Sequence, residues 1–289
     1  MSLSTVFEVG LGLILVYYVL SLVISKIVGE ITKWTQLRAR DLEDGLRDLL
    51  ADSGKLEEFM QHPRIQNLQP KRLDFLSSSV TTYKVADIPA SSFALTLLDV
   101  LAPGEKSDPM ADLRSAIEDL PSGKAKDSLL SMINSSVQSL EDTRRLVEGW
   151  YDDAARNISL VFTQHARRIV IVIAAAITLL TGVDSVAIAQ NLWEEPSRRA
   201  AVTAQTDQFI QEQPGSDIQS FLSSLEELNI PLLWNFNNLP DDVGGWGQKI
   251  AGLIITWVAI SQGSSFWYDV LKKVRSGGAT GAGTGAAQG

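Results

Sequence analysis

Asp184 lies inside the apolar stretch RRIVIVIAAAITLLTGVDSVAIAQNLWEE, residues 167–195, and an ionisable group inside a membrane span is costly enough to be the first candidate for chemistry. With Thr181, Ile188 and Asn191 it falls at three- and four-residue spacing, so on one continuous helix Thr181, Asp184 and Asn191 share a polar face. Facing a pore or a second subunit, that stripe could pass or bind a cation. At the rim of a bilayer the same carboxylate is solvated by headgroup water or satisfied by neighbouring helices. Counted from Arg168, Asp184 sits about 24 Å along a helix, within roughly 6 Å of the outer edge of a 30 Å hydrocarbon core. That depth favours the rim and leaves the functional reading open.

Other chemistry is sparse. The chain has no cysteine and two histidines, so disulfides, thiolate metal sites and cysteine nucleophiles are excluded. His62 precedes Pro63 in a turn and His165 stands next to a juxtamembrane arginine pair; neither has the His-Glu-x-x-His spacing of a metal site, and both read as structural or surface residues. Asp152 and Asp153, beside Trp150, are the type of pair that can hold a cation, but a charged helix face close to a membrane explains them as well. GEKS at Gly104 and GK at Gly123 lack the leading glycine of a phosphate-cradling loop. Asn157 matches a glycosylation acceptor on the side expected to be cytoplasmic. No metal, no cofactor and no enzymatic activity are expected. A net charge of −9 offers no general basic footprint, so nucleic acid is not expected as a partner.

Three apolar runs must position whatever chemistry there is. Hydrophobic residues make up 45% of a chain that is also 20% charged, which requires them to be clustered. Glu8 to Lys26 brackets a charge-free run of about 27 Å as helix, enough to span. Its leading residues carry Glu8 and no cation, unlike a cleaved signal peptide. The Asp184 stretch supplies a second span, and GQKIAGLIITWVAISQGSSFWYDVLKKV a third, with Lys249 to Asp269 about 30 Å long. Ala174, Thr178, Gly182 and Ser185 in the second, with Gly252, Thr256, Ala259 and Gly263 in the third, form small-residue faces that could let the two helices approach closely.

Flanking cations give an orientation. Lys26, Lys33, Arg38 and Arg40 follow the first span, Arg167 and Arg168 precede the second, and Lys272, Lys273 and Arg275 follow the third. All three ends are expected to be cytoplasmic, with the amino end outside and the carboxyl end inside. Trp193, Trp234 and Trp246 suit the outer interface, Trp34 and Trp267 the inner one.

The expected architecture is an all-α integral membrane protein: a first transmembrane helix over 1–30, a helical cytoplasmic domain over 31–166, a second transmembrane helix over 167–193, an outer loop over 194–248, a third transmembrane helix over 249–271 and a flexible Gly-rich tail over 272–289. In the soluble part, Trp34, Leu37, Leu42, Leu46, Leu49 and Leu50 continue the first span as an amphipathic helix. Prolines 63, 70 and 89 interrupt the pattern, and SSFALTLLDVL resumes it with Ser91 or Ser92 as cap. Ser128 to Arg168 reads as a long helix joining the second span. Phe93, Leu97 and Trp150 are the candidates for docking one amphipathic face on another. In the outer loop, GSDIQSFLSSLEEL carries a capping-box pattern at Ser216 and Gln219.

LRARDLEDGLRDLL, HPRIQNL, DIPASSFALTLLDVL, EGWYDDAARNISLVF, VDSVAIAQNLW and SQGSSFWYDVLKK together resemble a family of uncharacterised three-span bacterial membrane proteins, from the first span to Lys273. The chain departs from that pattern at Ser264-Ser265, where a small residue and a proline are expected. The resemblance implies the topology and a bacterial plasma (inner) membrane; it implies no activity. The expected role is a membrane scaffold or interaction protein, with the lipid bilayer and either further copies of itself, as a homo-oligomer, or a membrane-complex component as partners. Two alternatives are an oligomeric channel or transport component using the Thr181/Asp184/Asn191 stripe and a two-sided sensor.

Overall fold

The computed structural model describes residues 3–50, 53–73, 80–103, 108–134, 139–211, 234 and 240–281. Along the chain run α1 (Leu3–Trp34), α2 (Leu37–Leu50), α3 (Ser53–Gln61), α4 (Pro63–Gln66), β1 (Lys71–Leu73), β2 (Val80–Thr82), α5 (Ala90–Leu101), α6 (Pro109–Glu118), α7 (Lys124–Asn134), α8 (Leu140–Thr181), α9 (Ser185–Glu194), α10 (Pro196–Gln211), α11 (Val243–Ile260) and α12 (Ser264–Gly281). They fall into two compact units, Met1–Glu30 with Ala166–Gly289, and Ile31–His165. Among the described residues three helices are long and apolar enough to cross a membrane: α1, α8 and α11. This is the composition of a helical membrane protein.

In the first unit α1 is the central shaft. Leu15, Val16, Tyr17, Tyr18, Val19, Leu20 and Ser21 are all buried. Seven consecutive residues cover every face of a helix, and a helix covered on all faces has neighbours on all sides. Those neighbours contribute Ala174, Val183, Ile188, Leu192, Val202, Ile260 and Leu271 to one apolar core. α1 is closely approached at Gly12, where a Cβ would lie 2.7 Å from a Leu192 methyl. By contrast, α8 and α11 expose Val172, Leu179 and Leu180, and Ile250, Ile254, Ile255 and Val258, as lipid-facing helices do.

Several expectations are corrected. The second apolar run is not one helix over 167–193: α8 ends at Thr181, Gly182 takes φ +70°, and α9 starts anew at Ser185. The third does not run through 249–271: α11 ends at Ile260, Gly263 takes φ +90°, and Ser264-Ser265 open α12. Left-handed backbone is open to glycine at no steric cost and ends helices by satisfying their last carbonyls, so each glycine acts as a stop. The first span does not continue into the amphipathic helix either, because Gln36 at φ +50° separates α1 from α2. The tail is helical as far as Gly281.

The second unit is helical with one antiparallel ribbon, β1 on β2, pairing Lys71 with Thr82 and Leu73 with Val80; no strand was expected. α8 starts at Leu140, not Ser128, with Ser139 accepting from the Asp142 amide at 3.1 Å and donating to its carboxylate at 2.7 Å. The cap of α5 is Pro89, with no side-chain bond, rather than Ser91 or Ser92. The outer-loop segment GSDIQSFLSSLEEL, with Ser216 and Gln219, lies outside the described residues.

Phe93 organises this unit's core. Fully buried, its ring stacks on Tyr151 at 4.1 Å and 13°, meets Phe59 at 5.1 Å, and is edge-on to Trp150 at 6.3 Å. Leu97, one turn on, is buried in the same cluster. A second seam joins α2 to α8. Gly45 leaves no room for a Cβ against Ile158, His165 Nδ1 is 2.9 Å from the buried Asp41 carboxylate, and Arg38 lies over the Phe162 ring at 5.9 Å.

Truncating Phe93 removes three aromatic contacts at once. Phe93→Ala is expected to destabilise the chain by about 3–5 kcal/mol, measured by denaturant unfolding in detergent. Trp150→Ala, at a half-buried ring, is expected to cost less. Equal, negligible effects would remove Phe93 from the centre of the core.

Candidate functional site

The break between α8 and α9 gathers the buried polar residues Asp184, Ser185 and Thr256. A helix interrupted in apolar surroundings frees amides and carbonyls that no water will satisfy, so each needs a partner. Asp184 answers for the amides. Its φ −118°, ψ 109° backbone is that of an N-cap, and its Oδ1 accepts from the amides of Val186 at 2.9 Å and Ala187 at 3.1 Å. The next amide, of Ser185, donates to Thr256 Oγ1 at 3.1 Å. On the other side of the break, Leu179 O accepts from the Trp234 indole at 2.8 Å, and the Trp234 ring lies against Gly182 where a Cβ would be 2.6 Å away.

The hydroxyls form a chain with a fixed direction. Tyr17 donates to Ser185 Oγ at 2.7 Å, and Thr256 donates to Gly252 O at 2.9 Å. The 2.7 Å bond between Ser185 Oγ and Thr256 Oγ1 must therefore have Ser185 as donor, since the Thr256 proton is already committed. Every member is satisfied and the chain stops on a backbone carbonyl. This arrangement stitches α1, α9 and α11 together. Ser21 donating to Ile260 O at 3.1 Å adds a further stitch between α1 and α11.

Charge completes the site. Lys249, one turn before Gly252 on α11, places Nζ 3.9 Å from Asp184 Oδ2 and 4.8 Å from the centre of the Trp234 ring. Both side chains of the pair are largely buried, 18% and 8% exposed. A Cβ on Gly252 would overlap the Asp184 carboxylate, so the absence of a side chain there is what lets the pair form. A single uncompensated charge at the centre of a span costs on the order of 3 kcal/mol on insertion scales. Two amide bonds and an opposite charge offset much of that.

The depth of Asp184 also changes. Its neighbour Ser185 bonds to Tyr17, the midpoint of the charge-free run Val9–Ser25, while Asp184 packs on Gly252, mid-way along α11. α9 then continues beside α1, with Leu192 at Gly12. Asp184 is level with the central part of these helices, not at their rim. Counting from Arg168 along one straight helix missed this because the helix is not continuous.

The expected stripe does not assemble. Thr181 turns its hydroxyl back onto Ile177 O at 2.8 Å, and Asn191 accepts from Arg198 on α10. Asp184 alone of the three joins the site. Of the small residues, Gly252 and Thr256 belong to it, Gly182 forms the break and Gly263 the turn after α11. Ala174 and Thr178 are buried, with Thr178 donating to Ala174 O at 2.8 Å, and Ala259 packs at the edge of the core. The close backbone approach to α11 is made by α9 rather than by the small face of α8.

His62 caps α4, accepting from the Arg64 amide, and His165 pairs with Asp41. Asp152 and Asp153 are exposed, and Asp153 pairs with Arg156 at 2.6 Å. Among the described residues no group of three or more His, Asp or Glu side chains is placed to hold a metal. Sequence reasoning passed over Tyr17 and the pairing of Lys249, read Ser185 only as a small residue of a packing face, and assigned Trp234 to the outer interface, whereas its indole donates to Leu179 O. A signal was present: Gly182-Val183-Asp184-Ser185 is a helix stop followed by a helix cap, and Lys249 is the lone cation within the third apolar run.

Gly252→Ala is expected to lower stability in detergent by about 1–3 kcal/mol, the usual cost of overpacking. Gly247→Ala is the control on the same helix, because a Cβ there meets nothing within 4 Å. Thermal unfolding of the two variants side by side reads the difference, and equal midpoints would contradict the close approach of Gly252 and Asp184. Comparison with known proteins yields no family model that matches the chain, no similar curated protein and no similar solved structure.

Proposed function

We propose that the chain is a non-enzymatic scaffold of a bacterial plasma membrane, holding the helical unit Ile31–His165 on the cytoplasmic side as a platform for a partner. The observation that carries this reading is α8. A single helix of 42 residues supplies Val147 and Tyr151 to the core of one unit and Ala174 to the core of the other. The platform and its anchor thus share one helix, with no separate linker segment along Leu140–Thr181. The cations after α1, before the apolar part of α8 and within α12 support the cytoplasmic placement through the bias of positive charge toward that side.

The partner surface we assign is an open cleft of about 450 Å³ in that unit, with Leu56 and Val85 on its floor and Glu43, Arg47, Gln66 and Lys84 at its rim. Lys84 reaches Glu43 at 2.8 Å and Arg47 lies 3.6 Å from the same carboxylate. This exposed, paired polar rim around an apolar floor is the usual anatomy of a protein contact.

A channel is the second reading, favoured by the depth of Asp184. Against it stands the hydroxyl chain, which ends on Gly252 O with no unsatisfied member. Purified chain in liposomes is expected to show the ion leak of empty liposomes; single-channel currents sensitive to Asp184→Asn would replace the scaffold with the channel. A partner captured from native membranes is expected to be lost on Lys84→Glu and Arg47→Glu while the chain keeps its stability. Reporters fused near Ser216 and after Arg275 are expected on opposite sides, the first outside; finding both on one side would end the three-span reading.

A further inference from the structure

We infer that Lys249 and Asp184 are a matched pair on which retention of the third span depends: α11 stays in the membrane because Asp184, at the break of the preceding span, neutralises the one cation it carries. The inference rests on α11 being a span and not on the scaffold reading. Three observations carry it. Lys249 is the seventh of eighteen residues in α11, a helix that also holds four glycines and has the lowest mean hydropathy of the three, 1.2 against 2.3 and 1.6. The ammonium is directed inward, to Asp184 Oδ2 and the Trp234 ring, with its side chain 18% exposed. Space for the carboxylate is kept by Gly252, where any side chain would displace it.

The geometry divides the work of Asp184 between its two oxygens. Oδ1 caps α9 and Oδ2 faces Lys249. Asn can still cap, because its side-chain oxygen is an N-cap acceptor of similar quality, but it carries no charge. Asp184→Asn therefore strands the lysine while keeping the cap. Lys249→Met removes the cation and keeps the length of the side chain.

The chain has no cysteine of its own, so Ser216→Cys and Ser276→Cys in separate full-length chains report the two sides of α11 to a membrane-impermeant maleimide in sealed vesicles. In the otherwise unsubstituted background the two labels are expected on opposite sides. Asp184→Asn is expected to raise the fraction of Ser276→Cys chains labelled on the Ser216 side by about tenfold. Adding Lys249→Met to Asp184→Asn is expected to bring it back to within about twofold of the starting value. Thermal unfolding in detergent, read on the same variants, is expected to show the same rescue in chains that remain inserted. The inference is overturned if Asp184→Asn leaves topology and stability unchanged, or if the double variant is no better than Asp184→Asn alone; Asp184→Ala damage that ignores residue 249 would leave the cap as the only role. Both labels on one side before any substitution at 184 would overturn the span itself.

Discussion

A peptide group removed from water has to find its hydrogen bonds within the protein, and the first unit is arranged around a break where a helix cannot supply them. Breaking the second apolar run at Gly182 frees the amides of Ser185, Val186 and Ala187. The Asp184 carboxylate takes two of them and the Thr256 hydroxyl the third. Bringing Thr256 to that position fixes the rotation of α11, and bonding Ser185 to Tyr17 fixes that of α1. With no hydrophobic drive between helices in lipid, bonds of this kind and close packing decide which faces meet. The bend in the second span and the register of the other two are one solution to one constraint.

The second unit is held differently. Its cohesion comes from an apolar cluster centred on Phe93 and Tyr151 with Phe59 beside them, as in proteins that fold in water. Polar contacts lie at its margins: Lys84 with Glu43, Arg38 with Asp87, and Arg64 with Asp99 are exposed pairs of small energetic weight. α8 belongs to both regimes. Val147 and Tyr151 are buried by the hydrophobic effect, whereas Leu179 and Leu180 are exposed in the part of the helix that is apolar enough to cross a membrane.

Much of this was legible in the residue order. Apolar runs of spanning length mark α1, α8 and α11, and the periodic leucines of α2 and the proline-led entry to α5 place helices where they occur. The breaks were less legible, for a physical reason: glycine is common within spans, so Gly182 and Gly263 do not differ in type from Gly252, which lies mid-helix. Backbone conformation separates them, φ +70° and +90° at the two breaks. A period computed across Gly182 therefore assembled Thr181, Asp184 and Asn191 into a stripe that the chain never forms. The link between Lys249 and Asp184 joins residues 65 apart along the chain, and local spacing holds no trace of it. The ribbon of β1 and β2 escaped notice because three-residue strands are too short to show alternation.

Gly247 and Gly252 lie on one helix, five residues apart, and are alike to any measure of composition. One faces open space and the other the Asp184 carboxylate. As the sequence drifts over generations, the first position is free to acquire a side chain and the second is closed even to a methyl group. The outward residues Ile250, Ile254 and Val258 are constrained only to remain apolar. Descendants of this chain would thus diverge along one flank of the third span and stand still along the other, with the boundary between the two drawn by a single carboxylate on a different helix.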